Sequence, residues 1–202
     1  EQKKLEFYTQ QYIDAMSPTN FAVTNPEVLQ QALETKGQSL VDGLKNLLGD
    51  VDKGRISMTD ESAFTLGENI ATTEGSVVFE NDMFQLIQYN PTTEETFARP
   101  TMIVPPCINK FYILDLQESN SYVKYCVDQG QTTFMISWLN PTIEQGHISW
   151  DDYVEKGILK ATEVVQEITN SDKINAVAWC VGGTLLGTAL AVMAARKDSS
   201  IA

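Results

Sequence analysis

Histidine is nearly absent from these 202 residues: His147 stands alone. The three cysteines, Cys107, Cys126 and Cys180, form no Cys-x-x-Cys pair. Both facts argue against a zinc or other metal site and against a disulfide framework, and free thiols suit a reducing cytosol. Positive charge is scarce too. With 14 Lys and Arg against 27 Asp and Glu, the net charge of −13 has the wrong sign for nucleic acid and suits anionic lipid poorly. No run approaches the roughly 18 apolar residues of a membrane span, so no transmembrane segment is expected. The opening "EQKKLEFYTQQ" lacks the apolar stretch of a signal peptide. The chain starts without Met and ends on "DSSIA" just after a helical pattern, so a piece of a longer protein is expected.

What is present is a core. Apolar residues make up 43% of the chain, enough to bury one domain and an appendage. Leu5, Tyr8, Tyr12 and Met16 recur at helical spacing up to Ser17-Pro18. Asn25-Pro26 predicts a helix start carrying Val28, Leu29, Ala32 and Leu33. After Gly37, Leu40, Val41, Leu44, Leu47 and Leu48 predict another helix, closed by Gly49. Residues 1–74 therefore read as an N-terminal helical region ending in polar loop.

The pattern changes at Gly75. "GSVVFEN" and "MFQLIQYN" predict a hairpin turning at Asn81-Asp82. "TMIVPP", "TTFMISW" and "INAVAW" are short apolar strands. Between the first two, Ser119 or Asn120 is expected to cap a helix running to Gly130. Val154, Ile158, Ala161, Val165 and Ile168 mark a second helix over 151–170, and Leu185, Ala189, Val192 and Met193 a third. Hairpin, then alternating strand and helix, predicts an α/β fold with a largely parallel sheet covered on both faces. Ligands of such sheets bind beyond the carboxyl ends of the strands. The loops 105–118, 139–150 and 180–184 leave those ends. The strand at Ile174–Trp179 is expected at a raw edge.

Cys180 lies in the last of these loops. Ala178-Trp179-Cys180-Val181-Gly182 has the form of a nucleophile elbow, small-x-nucleophile-x-Gly between strand and helix. Such a turn aims the thiol out of the sheet and sets the Val181 amide at a helix N-terminus, where it can donate to an oxyanion and where a thiol pKa can fall. The competing reading is a buried, inert thiol. The strand–turn–helix context favours the nucleophile. A second oxyanion amide is expected from the loop after "TMIVPP", where Cys107, Ile108 and Asn109 are candidates; an ordinary proline-rich crossover fits equally well. Lys110 is the one basic residue of that loop, a candidate contact for an anionic substrate, and Cys107 could line the same site.

The remaining candidates read as structural. Cys126 shares a helix face with Tyr122 and is expected in the core. His147 precedes the nucleophile, whereas the hydrolase order is nucleophile, acid, histidine, so a surface or capping role is expected. Asp151 and Asp152 suit a helix N-terminus. No histidine follows Cys180 in these residues.

"QQYIDAMSPTNF", "TDESAF", "TEGSVVFEN", "VPPCINKFYILDLQ", "SWDDY" and "DKINAVAWCVGGT" together resemble class I polyhydroxyalkanoate synthases, from about Phe7 to Met193. The chain departs from that family's pattern at Ala178, where Gly is common, and at Leu139, where a basic residue is common. The resemblance implies an α/β-hydrolase fold, incomplete here and ending just after the nucleophile helix, with residues 75–202 forming the first part of the catalytic domain. It implies Cys180 as nucleophile, an oxyanion loop at Pro105 to Asn109, and a catalytic Asp and His further along the chain. The implied reaction polymerises (R)-3-hydroxyacyl-CoA, mainly 3-hydroxybutyryl-CoA, with release of CoA and without cofactor. The growing polyester, the surface of a cytoplasmic granule and a second copy of the full-length chain are the implied partners. A thioesterase or an intracellular polyhydroxyalkanoate depolymerase is the competing reading.

Overall fold

Asn25 and Pro26 act at the second helix as their side chains allow. In the computed structural model, which describes residues 1–202, Asn25 Oδ1 accepts from the Glu27 and Val28 amides at 2.9 and 3.4 Å. Pro26, with no N–H to lose, takes the first helical position. This helix, α2 (Pro26–Glu34), follows α1 (Gln2–Ala15) and precedes α3 (Gln38–Lys53). Helix α3 does not close at Gly49. That residue is helical with open space where a Cβ would stand, and the helix ends instead at Gly54, whose φ of +67° gives the left-handed C-cap. A glycine weakens a helix interior without breaking it. These helices belong to one compact unit, Glu1–Glu61, and none of them buries a residue.

The second unit, Ser62–Ala202, holds the sheet. Strands β1 (Gly75–Glu80) and β2 (Phe84–Tyr89) form the expected hairpin. Asn81 closes its turn, the side-chain oxygen accepting from the Met83 and Phe84 amides at 2.8 and 3.0 Å. Strand β3 (Phe97–Val104) starts before "TMIVPP"; Pro100 falls within its register shift, where a missing N–H is tolerated. Two short strands follow, β4 (Asp115–Gln117) and β5 (Asn120–Ser121), paired with each other. Strands β6 (Gln131–Trp138) and β7 (Asn175–Ala178) complete a five-stranded sheet in the order β1-β2-β6-β3-β7. Pairing is antiparallel from β1 to β6 and parallel across β6, β3 and β7, a mixed sheet in an α/β arrangement. Strand β7 is outermost, yet its approach is bridged: the Ile174 amide donates to Ser200 O at 2.8 Å and the Ala202 amide to Ile174 O at 2.9 Å.

The strand period of two divides the core. Met102, Val104, Phe134, Ile136 and Trp138 face one way, Ile103 and Met135 the other. Helix α4 (Tyr122–Asp128) covers the second face through Val123 and Val127. Its cap is Ser121, one residue beyond the expected Ser119 or Asn120, with Oγ accepting from the Lys124 amide at 2.8 Å. Ser121 is available because its hydroxyl also donates to the fully buried Asp115 carboxylate at 2.6 Å. That carboxylate accepts from the Thr73 hydroxyl at 2.7 Å and from its amide at 3.3 Å. The first face is covered from residues 150 to 195. A short helical start, α5 (Trp150–Asp152), runs into a π-helical stretch at Tyr153–Leu159 and then α6 (Lys160–Thr169). The regular helix expected over 151–170 is thus widened at Gly157. A Cβ there would stand 2.8 Å from the Trp138 ring carbons Cη2 and Cζ3, so the backbone abuts the distal edge of the indole. Helix α7 (Val181–Ala195) buries Leu185, Leu186, Ala189 and Met193. No helix is long and apolar enough to cross a membrane.

Candidate active site

Only Trp179 and Cys180 separate β7 from α7. Strand β7 ends at Ala178, and the Trp179 amide still donates to Val104 O at 3.3 Å. Cys180 then takes φ +51° and ψ −128° and is exposed, while Val181 opens a 15-residue helix. A non-glycine residue held at positive φ costs about 1–3 kcal/mol and persists only where its surroundings enforce it. Gly182 permits the close approach: a Cβ there would sit 2.4 Å from Val104 O and 2.8 Å from Pro105 O. Gly183 meets nothing within 4 Å, so the two adjacent glycines are not equivalent. Ala178 is half-buried and packs on the core. As the first residue of α7, Val181 has an N–H with no intrahelical partner, whereas the Gly183 and Thr184 amides already turn back to Cys180 O.

The 105–110 loop meets this elbow through Val104 and Pro105. Pro105 and Pro106 are buried, Cys107 is half-buried, and Ile108, Asn109 and Lys110 are exposed. The Asn109 amide donates to Pro106 O at 3.2 Å, closing a turn, and the Asn109 side chain accepts from the Lys110 amide at 2.8 Å. The Ile108 amide is outside that turn's hydrogen bond. Burial pushes the Cys107 thiol above its ordinary pKa, against the needs of a nucleophile.

The other residues singled out stand apart. Cys126 is buried on α4. Its neighbour Tyr122 stacks edge-on against Trp179 with ring centroids 4.7 Å apart, and burial, with Cys126 beside it, pushes the Tyr122 phenol up to about 12. Exposed His147 places Nδ1 3.1 Å from Glu144 O. Asp152 is the third residue of a capping box, its carboxylate accepting from the Ser149 amide and hydroxyl at 2.8 Å each, with Lys156 at 2.9 Å. Asp151 is exposed on the same turn, and Leu139 is exposed just past β6.

One participant was invisible in the pattern. Trp138, read as the end of a strand, sends its indole N–H to Pro105 O at 2.8 Å. Its partner Gly157 did leave a trace: a glycine amid a clean helical stripe has a packing reason.

A family model described as the N-terminus of poly-beta-hydroxybutyrate polymerase (PhaC) matches residues 1–126. Curated relatives match nearly the whole chain. The poly(3-hydroxyalkanoate) polymerase subunit PhaC of Cupriavidus necator is 51% identical over 196 residues, 97% of this chain and 33% of its own length. The corresponding subunit of Rhizobium meliloti is 43% identical over 202 residues, covering 98% of this chain and 33% of the relative. The poly(3-hydroxyalkanoate) polymerase of Methylorubrum extorquens is 46% identical over 202 residues, with the same coverage of 98% and 33%. The chain thus spans about a third of the length of these relatives.

Proposed function

The chain belongs to the poly-beta-hydroxybutyrate polymerase family, and from that premise we propose that it contributes the nucleophile elbow and oxyanion amides of a polyhydroxyalkanoate synthase. The observation that carries the reading is Cys180 itself: an exposed thiol at φ +51°, on a turn that only a glycine at 182 permits, at the head of a 15-residue helix. We read residues 75–202 as the first part of an α/β-hydrolase domain and residues 1–74 as a helical region preceding it.

The substrate is an (R)-3-hydroxyacyl-CoA, chiefly 3-hydroxybutyryl-CoA. The Cys180 thiolate attacks the thioester carbonyl. The oxyanion that forms accepts hydrogen bonds from the Val181 and Ile108 amides, with Asn109 closing the turn that presents Ile108. Collapse breaks the carbon–sulfur bond to CoA, whose thiolate leaves and takes a proton, and the acyl group remains on Cys180. One thioester replaces another, so the step is close to thermoneutral and the acyl unit stays transferable; an ester on serine would hold it more firmly. The 3-hydroxyl of a second (R)-3-hydroxyacyl-CoA then attacks the Cys180 thioester: the carbon–oxygen ester bond forms, the carbon–sulfur bond to Cys180 breaks, the hydroxyl proton passes to the freed thiolate, and the lengthened acyl-CoA can acylate Cys180 again. We propose that the histidine that deprotonates the thiol, and the Asp that assists the hydroxyl, lie later in chain order than Cys180. Exposed Lys110 and half-buried Cys107 are the loop residues we propose for substrate contact. Thiolate–thioester exchange calls for no cofactor. The polyester, a cytoplasmic granule surface and a second copy of the full-length chain complete the proposed setting.

The test is (R)-3-hydroxybutyryl-CoA given to the full-length protein, read by CoA release, polymer formation and mass of the Cys180 peptide. Polymer, and an acyl adduct lost with Cys180→Ala, are expected. Free 3-hydroxy acid without polymer would sink the synthase reading and favour a thioesterase or depolymerase.

A further inference from the structure

Pro105 and Pro106 carry no N–H, so this stretch of the loop can be held through backbone hydrogen bonds only by its carbonyls. Both are held. Pro106 O accepts from the Asn109 amide at 3.2 Å, and Pro105 O accepts from the buried Trp138 indole at 2.8 Å. The same Pro105 carbonyl lies against Gly182, where a Cβ would come within 2.8 Å of it. One indole N–H therefore fixes the point from which the loop leaves the sheet and at which it touches the helix behind Cys180.

The indole has no freedom to drift. Phe84 and Tyr153 meet it edge-on, with centroids 6.2 and 5.4 Å away. Gly157 abuts its distal edge at Cη2 and Cζ3, a placement that a side chain would prevent. The π-helical stretch that delivers Gly157 is itself pinned, Asn81 Nδ2 donating to Lys156 O at 3.0 Å. A buried donor needs some acceptor, but a ring clamped by three residues specifies which one and at what angle.

We infer that Trp138 is a positioning residue for the oxyanion loop: through Pro105 O it sets where the Ile108 amide stands relative to Cys180, and Gly157 holds Trp138 in place. The inference rests on the reading of Cys180 and Ile108 given above. It concerns only steps in which charge develops on a carbonyl oxygen. Acylation of Cys180 by a thioester is such a step; alkylation of the same thiol by iodoacetamide is a displacement at carbon that forms no oxyanion.

Trp138→Phe keeps an aromatic ring but removes the N–H and part of the indole, and the iodoacetamide control separates loss of the donor from general loosening of the elbow. In the full-length protein, it is expected to slow acylation of Cys180 by (R)-3-hydroxybutyryl-CoA about ten- to a hundredfold, the scale of a misplaced oxyanion donor. KM should change little and the iodoacetamide rate should stay at the parent value. Gly157→Ala, which crowds the indole, should shift the same ratio in the same direction. Acylation at the parent rate in Trp138→Phe, or an equal fall in acylation and alkylation, would overturn the inference while leaving the function intact. A parent protein whose Cys180 alkylates but is never acylated would overturn the function and this inference with it.

Discussion

Residues 1–61 and 62–202 show the same helical periodicity with opposite outcomes. In the first unit every helix is amphipathic by sequence, yet Leu33 is 82% exposed and no side chain on α1, α2 or α3 is buried. What supports these helices is local: the Asn25 cap and glutamine-to-acid pairs one turn apart, Gln2–Glu6, Gln10–Asp14, Gln30–Glu34 and Gln38–Asp42. Each pair contributes about 0.2–0.5 kcal/mol. In the second unit Phe84, Leu86, Phe134 and Ile158 are at most 1% exposed, and burying one such side chain contributes about 1.5–3 kcal/mol. Apolar spacing identifies a helix in both; only a facing sheet turns that spacing into a core.

Truncating one leucine in each unit separates them most sharply. Leu86→Ala should cost about 2–5 kcal/mol, and Leu33→Ala less than about 0.5 kcal/mol. The three tryptophans, Trp138, Trp150 and Trp179, all lie beyond residue 61, so their fluorescence in a urea titration follows the second unit alone, and circular dichroism follows both. Equal losses would erase the contrast. Glycine substitution reverses sign between the units. Gly182→Ala drives a methyl into Val104 O and should destabilise by about 1–3 kcal/mol, whereas Gly49→Ala fills open helix surface and should stabilise α3 by about 1 kcal/mol, both read from thermal midpoints.

Acid gives the smallest and most selective effect. The cap of α2 is the neutral Asn25, whereas the capping box of α5 pairs the Ser149 cap with the carboxylate of Asp152. The Ser149 amide, then the Lys156 ammonium, hold the Asp152 carboxyl well below the usual carboxylate range. A depressed folded-state pKa gives a contribution that is complete above the unfolded value of about 3.9 and declines as pH falls through the folded value. Lowering pH from 5 to about 2 should therefore lower the protection of the Ser149 amide relative to its intrinsic exchange rate at the same pH, and Asp152→Asn should remove that pH dependence. Amides protected by Asn25 should show no such response.

The elbow was legible because its constraints are local. Strand, small residue, thiol, glycine and helix follow each other in sequence, and the hairpin and parallel order follow from period and turn chemistry. Gly182 and Gly183 looked alike in the sequence because the carbonyls that distinguish them come from Val104 and Pro105 on another strand. Trp138 was hidden for the same reason: its acceptor lies 33 positions earlier in the chain. The helix widening at Tyr153–Leu159 answers to an indole that periodicity does not register. Asp115, likewise, read as one letter in a crossover.

That carboxylate has a consequence for the order in which the chain assembles. Asp115 holds Thr73 across a gap of 42 residues and, through Ser121, the cap of α4; its own carbonyl accepts from the Ala71 amide. The segment entering β1 therefore finds its acceptors only once the chain beyond β3 has come back to meet it, and closing so long a loop is an entropic cost that no local turn defrays. The entry segment and the α4 cap share this one carboxylate, so the chain beside the proposed oxyanion loop is tied to both.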